Sequence, residues 1–342
     1  MTAGEGVWVE APARLHLGLL DLRGDLGRRF GGIGIAVQAP SLLLEARPAP
    51  ELVVTGEEAE RVRLYARRFL DHHGLRGGAR LRLHRTIPAH SGLGSGTQIA
   101  LAVARALAIL YDRPTAAAEL ATAVGRARRS AIGTWAFERG GFILEGGRRE
   151  ADDRPAPLLM RHAMPADWRC VLAIPEVGPG LSGDAEEVAF RSLPPPSEAL
   201  VGRISRLVLM LLLPSLVDGD LEGFGRAVTE IQRCVGESFA AVQGAAFMHP
   251  LVEELIAEML AAGAAGAGQS SWGPTVYGFV EGDAAARALA ARIERRLAGR
   301  GLVLPVAFDN AGARAWRGRA EAGPPAARVS QPTPPDRLLH RR

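Results

Sequence analysis

From Thr97 to Leu110 the chain reads "TQIALAVARALAIL", apolar on nearly every face of a helix. A helix with no polar side must be covered all round, so it belongs at the centre of a layered domain. It follows directly from "IPAHSGLGSG", in which Pro88 is succeeded by Gly92, Gly94 and Gly96. Glycines at this spacing allow positive φ and remove side-chain bulk, so successive N–H groups can converge on phosphate oxygens beside the positive end of the helix dipole. Ser91, Ser95 and Thr97 offer hydroxyls to the same anion, and Leu93 lies within the loop. A plain tight turn, with Ser95 or Thr97 capping the helix, accounts for the same letters.

At 342 residues the chain has room for two domains of ordinary size. All 41 basic residues are arginine. The absence of lysine excludes a Walker-type phosphate loop and Schiff-base chemistry, so an anion must be held by arginine, histidine, backbone amides or a metal. The net charge is +4, but the arginines from Arg314 onward outweigh Glu321 and Asp336 by more than that, leaving the body near neutral. Nucleic acid is therefore not an expected partner. Cys170 and Cys234 have no metal or redox spacing and read as free thiols of a reducing compartment. The N-terminus reads as strand rather than leader, and the aliphatic run Leu207 to Leu213 stops at Pro214, short of a membrane span. A cytoplasmic location, no membrane partner and, from the large apolar helices, a homodimer are the expectations.

The order of strands and helices points to two α+β domains, 1–165 and 166–317, meeting at a cleft. The Pro/Arg-rich stretch 318–342 reads as a disordered tail. A helix is expected to run from Thr115 to Arg129 and a short buried strand through "GGFILEGG". In "RLHLGLLD" alternation sends Arg14, His16 and Gly18 to one side and the leucines to the other. Beyond it, "GDLGRRFGG" is a turn carrying Arg28 and Arg29 shortly after Asp21. A carboxylate with several guanidiniums suits a magnesium-bound phosphorylated substrate, and a solvated hairpin with an incidental ion pair suits the letters too. "SAIGTWAFERGG" and "GAAGAGQSSWGP" repeat the glycine punctuation; Gln269, Ser270 and Ser271 are candidate ligand contacts, and Trp135 or Trp272 a cover for a ring.

These segments, in this order, resemble the GHMP kinase superfamily. "PAHSGLGSGTQ" looks like its phosphate-binding motif, and "GAAGAGQSSWGP" sits where its C-terminal glycine motif falls. Within the superfamily, "RLHLGLLDLRGDLGRRFGGIGIAV", "SAIGTWAFERGGFILEGG", "GLSGDAEEVAF" and "GAGQSSWGPTVYGFV" resemble the β-ribofuranosylaminobenzene 5′-phosphate synthases. The resemblance implies a two-domain GHMP-kinase-like fold of the α+β class. It implies condensation of phosphoribosyl pyrophosphate with p-aminobenzoate, with release of carbon dioxide and pyrophosphate, in tetrahydromethanopterin biosynthesis. Magnesium is the implied cofactor and ATP is not required. By position Asp21 and Arg28 match the branch's functionally important acidic and basic residues. The expected roles are then Asp21 on magnesium, Arg28, Arg14 and Arg29 on the phosphates, and Trp135, Phe137 or Trp272 around the ring. An ATP-dependent small-molecule kinase is the alternative; where such kinases use an aspartate or lysine, this chain offers Glu138.

Overall fold

The computed structural model describes residues 6–150, 152–178, 183–243 and 246–318; the expected tail beyond Gly318 and residues 179–182 of "GPGLSG" fall outside them. The chain opens with β1 (Gly6–Asp21), β2 (Phe30–Ala49) and β3 (Val53–Gly56). Helix α1 (Ala59–His72) and strand β4 (Gly78–Arg85) come next. Helices α2 (Ser95–Leu110), α3 (Ala117–Ala123) and α4 (Ile132–Arg139) follow, then β5 (Phe142–Glu145) and β6 (Leu158–His162).

The second half holds β7 (Trp168–Pro175), α5 (Gly183–Ser192), α6 (Glu198–Leu207), α7 (Leu213–Asp218), α8 (Leu221–Gln243) and α9 (Pro250–Ala261). It ends with β8 (Gly266–Gln269), β9 (Val276–Glu281), α10 (Gly282–Leu297), β10 (Gly301–Val306) and β11 (Arg314–Gly318).

Two sheets carry these elements. The first runs β11-β1-β2-β4-β3, with β5 pairing β2 and β6 beside it; the second runs β10-β7-β9-β8. The chain passes from the first sheet to the second between β6 and β7, near the expected boundary. It then returns: β11 pairs antiparallel with β1, Trp316 opposite Trp8. Residues 314–317, expected in the second domain, thus belong to the first sheet.

Helix α2 is the pivot of the core. Between Ser95 and Ala108 twelve of its residues are buried, and it packs on β1, β2, α1, α3 and α4. Burying each large aliphatic side chain there contributes roughly 1.5–3 kcal/mol before entropy is subtracted. The same core extends into the second half, where Phe224 of α8 meets Phe142, Trp168 and Phe279. A smaller cluster lies between the second sheet and α9 and α10. Helix α8 approaches β8 closely because Gly225 and Gly266 face each other; a β-carbon on either would strike the other's backbone.

Two expectations are corrected. The run ending at Pro214 does not stop: α6 and α7 join through a π-helical turn, Val208–Leu212, into one helix from Glu198 to Asp218. Pro214 lies in the first turn of α7, where the wider turn removes the need for its missing N–H. This 21-residue helix is long and apolar enough to cross a membrane by composition alone, and it packs against α8. Nor does the helix begun near Thr115 reach Arg129. It ends at Ala123, and Gly125, at φ 69°, turns the chain away.

Candidate active site

A cleft of about 960 Å³ opens where β1, the 22–29 hairpin, the 124–130 loop, α8 and the 269–272 loop meet. Alternation along β1 places its wall as expected: Arg14, His16 and Gly18 line the cleft, while Leu15 and Leu17 are fully buried behind it. Nine arginines line the cleft against two carboxylates, Glu150 and Asp153, among the described residues. Arg23 is paired with Asp25 and Arg148 lies 3.8 Å from Asp153, and so dense a group of guanidiniums suits a multiply charged anion.

The glycine loop forms one end. Its backbone is stitched to the 270–275 loop: Ser270 Oγ donates to the Gly92 carbonyl at 2.8 Å, and Thr275 Oγ1 to the Ser91 carbonyl at 2.6 Å. Gly92 sits at φ 88°, and a β-carbon there would run into the Ser270 carbonyl. Gly94, at φ 80°, is the N-cap of α2 and supplies no side chain, so neither Ser95 nor Thr97 caps the helix. Among the described residues, the N–H groups of residues 92–96 donate to no protein acceptor.

These amides are not the cleft's surface, however. Guanidinium groups fill the space a side chain would take at the glycines: Arg14 against Gly94, and Arg61 and Arg126 against Gly96. Arg14 Nη1 donates to the Gly92 carbonyl, and Arg126 Nη2 donates to Thr97 Oγ1 at 2.9 Å. Of residues 91–97 only Thr97 lines the cleft. Ser91 turns inward, donating to the Pro88 carbonyl at 2.8 Å, while Leu93 and Ser95 are buried. The expected bare cradle is thus a two-layer device, a helix N-terminus behind and arginines in front.

The hairpin and the loops after α3 and β5 supply the opposite wall. Arg28 Nη1 donates to the Gly147 carbonyl at 2.9 Å, and Arg29 and Arg148 exchange backbone hydrogen bonds at 2.9 Å. Arg29 Nε also donates to the Leu22 carbonyl at 2.9 Å, and its guanidinium stands 5.4 Å from the Phe30 ring centre. Arg126, Arg128, Arg129 and Ser130 reach the cleft because the chain leaves the helix at Gly125.

Aromatic rings close the far end. Trp272 packs against Phe190 and Phe239 at centroid separations of 5.3 and 4.3 Å, and Phe190 also meets Phe30 at 5.6 Å. Among the expected ring contacts only Trp272 belongs there. Trp135 donates its Nε1 to the Ala156 carbonyl at 2.9 Å and, with Phe137 in the core, lies off the cleft.

Gln269 and Ser271 line the cleft and Ser270 lies beneath it. Gln269 Oε1 accepts from the Met248 amide at 3.0 Å and its Nε2 donates to the Ser271 carbonyl at 2.8 Å, so it fixes the loop. Ser270 Oγ accepts the His16 amide at 3.0 Å, and the Ser271 amide donates to the His16 carbonyl at 3.3 Å. Burial and the Arg14 charge push His16 down to about 3, so the imidazole is neutral.

Asp21, expected on magnesium, is engaged in its own turn through one carboxylate oxygen. Its Oδ1 accepts the Arg23 and Gly24 amides at 2.7 and 2.9 Å, which makes it the brace of the hairpin turn, and it does not line the cleft. Among the described residues no three His, Cys, Asp or Glu side chains group as metal ligands. Among the described residues the side chains alone therefore build no multi-ligand magnesium cage, and an ion there would lean on substrate phosphates.

Known proteins agree with this architecture. The models of the GHMP kinases N terminal and C terminal domains match residues 60–136 and 212–299. The chain is 37% identical to beta-ribofuranosylphenol 5'-phosphate synthase of Methanothermobacter thermautotrophicus, over 80% of this chain and 88% of that one. It is 36% identical to the protein of that name from Archaeoglobus fulgidus, over 81% and 88%. Homoserine kinase from Cytophaga hutchinsonii superposes with a TM-score of 0.69 over 92% of this chain and 99% of its own, at 18% identity, a likeness of fold alone. With a GHMP fold, the glycine loop before α2 and this extent of identity, the chain belongs to the beta-ribofuranosylphenol 5'-phosphate synthase family of the GHMP kinase superfamily.

Proposed function

We propose that this enzyme condenses phosphoribosyl pyrophosphate with p-aminobenzoate to a C-riboside, releasing carbon dioxide and pyrophosphate, as an early step towards tetrahydromethanopterin. The observation that carries the reading is one cleft with an arginine-crowded wall and an aromatic end. An anion and a flat ring can lie there side by side. The relatives are named for a phenol product, in which hydroxyl replaces the amino group. Both substituents donate electrons to the same ring carbon, so one chemistry serves either acceptor.

Pyrophosphate leaves the anomeric carbon as negative charge gathers on its oxygens. Arg14 and Arg126, with the N-terminus of α2 behind them, take up that charge; Arg28 and Arg148 face it from the other wall. The ring lies against Trp272 and Phe190, where water is excluded. Its carbon para to the amine attacks the anomeric carbon. The carboxylate's bonding pair then returns to the ring as carbon dioxide departs, restoring aromaticity without a strong base. Magnesium enters this proposal as a companion of the donor's diphosphate, and no step is assigned to it.

Kinases of the superfamily often use an aspartate or a lysine to activate the acceptor hydroxyl, though some use neither. Lysine is absent, and Glu138 does not line the cleft. The test incubates the protein with phosphoribosyl pyrophosphate, magnesium and carboxyl-labelled p-aminobenzoate or p-hydroxybenzoate. Labelled carbon dioxide released without ATP is the expected result, and the faster acceptor is the substrate. ATP-dependent phosphorylation of a small alcohol with no such release would overturn it.

A further inference from the structure

One buried carboxylate is left unused by this chemistry. Glu145, the last residue of β5, is 0% exposed and has no arginine or histidine salt bridge among the described residues. Its Oε1 accepts the Ala131 amide at 3.2 Å and its Oε2 the Gly147 amide at 2.9 Å, and Ser130 Oγ adjoins it beside Gly32. Burial still pushes this carboxyl up. A buried carboxylate held by two backbone amides and no cation is costly, so its retention needs a reason.

Ser130 connects it to the cleft. Its Oγ lies 3.1 Å from His16 Nε2 and accepts the Ile132 amide at 3.2 Å, and both Ser130 and His16 line the cleft. The donors can be counted. An ionised Glu145 only accepts, so the Ser130 proton goes to it; the Ser130 oxygen then takes the proton on His16 Nε2. His16 is left with a lone pair on Nδ1, held in one tautomer by a chain that ends in a negative charge.

The position of His16 indicates what that lone pair meets. Arg14, at the phosphate end, and Gly18, beside Ile231 and Val235 of α8, are each two residues away on β1, or roughly 7 Å at strand spacing. A ribose joining the phosphates at one end to the ring at the other lies over the middle. The arginines that hold pyrophosphate also oppose the positive charge that the sugar acquires as it leaves.

Resting on the synthase reading, we infer that His16 accepts a hydrogen bond from a ribose hydroxyl of the donor, and that Ser130 and Glu145 are positioning residues that fix its tautomer and pass their negative charge towards the sugar. No covalent bond to His16 forms. The hydroxyl proton stays on the sugar, and the hydrogen bond strengthens as the ring becomes cationic.

The experiment compares wild type, Glu145→Gln, Ser130→Ala and Ser130→Thr by steady-state carbon dioxide release, with phosphoribosyl pyrophosphate and with its 2-deoxy and 3-deoxy analogues. Glu145→Gln keeps shape but removes charge. It should lower kcat by about 10- to 100-fold, with both KM values within about twofold. The loss should vanish with one of the deoxy donors, and Ser130→Thr should restore what Ser130→Ala loses. If Glu145→Gln does not fold, Ser130→Ala reads the same link, because Glu145 keeps both backbone amides. Variants equal to wild type in kcat, or equally impaired with all donors, would overturn the inference and leave the synthase reading standing. No release by the wild type would overturn both.

Discussion

Stability should fall in mild acid because of His16. Its imidazole is pushed from 6.5 to about 3 in the folded chain by burial and by Arg14. Between those values the unfolded chain holds a proton that the folded chain does not, so stability rises with pH across this window and is lost as pH falls below 6.5. The slope approaches 1.36 kcal/mol per pH unit, so going from neutral pH to pH 5 should cost about 2 kcal/mol from this group alone. Other groups titrate too, and the variant His16→Asn isolates the part due to His16. It should be less stable at pH 7, since Asn makes a poorer fit among Ser130, Ser270 and Arg14, but its stability should be flatter between pH 5 and 6.5. Urea denaturation at half-unit pH steps measures both curves. Parallel curves in that window would refute the claim that His16 is buried and neutral.

Three further outcomes follow from the site. Gly92→Ala should cost about 2 kcal/mol or more and raise KM for the donor, since Gly92 sits at φ 88° with the Ser270 carbonyl against it; an unchanged urea midpoint would contradict this. Arg126→Ala should raise KM for phosphoribosyl pyrophosphate at least about tenfold while leaving KM for the aromatic acid within about twofold, because a charge-assisted contact to one substrate is removed; equal effects on both would show that Arg126 acts only through the loop. Magnesium titrated into the donor-free protein should give no calorimetric binding isotherm at millimolar concentrations, and a saturable one-ion isotherm would show that the chain holds the ion without the donor.

The legible parts of this chain were those where one periodicity was enforced by burial on a single face or on all faces. Alternation in "RLHLGLLD" placed Arg14, His16 and Gly18 on the cleft because the leucines between them must enter the core. The apolar run of α2 declared a central helix for the same reason. Reading failed where a local break outweighed periodicity. Arg126, Arg128, Arg129 and Ser130 were hidden inside an expected helix, although Gly125, a helix-ending glycine at positive φ, was the signal to stop. Pro214 erred the other way, since a π-helical turn accommodates it. Trp135 and Trp272 look alike in their glycine-rich surroundings. Only tertiary packing sends one indole to the Ala156 carbonyl and the other to Phe190. The turn-bracing part that Asp21 plays through its own amides was not read from its neighbours' charge.

The central claim is that the arginine layer over the glycine loop holds the leaving pyrophosphate. A crystal structure of the enzyme with phosphoribosyl pyrophosphate tests it most directly. The diphosphate should lie among Arg14, Thr97 and Arg126, with the ribose over His16 and the anomeric carbon facing Trp272. Diphosphate bound elsewhere, or an anomeric carbon turned away from the aromatic end, would contradict the account.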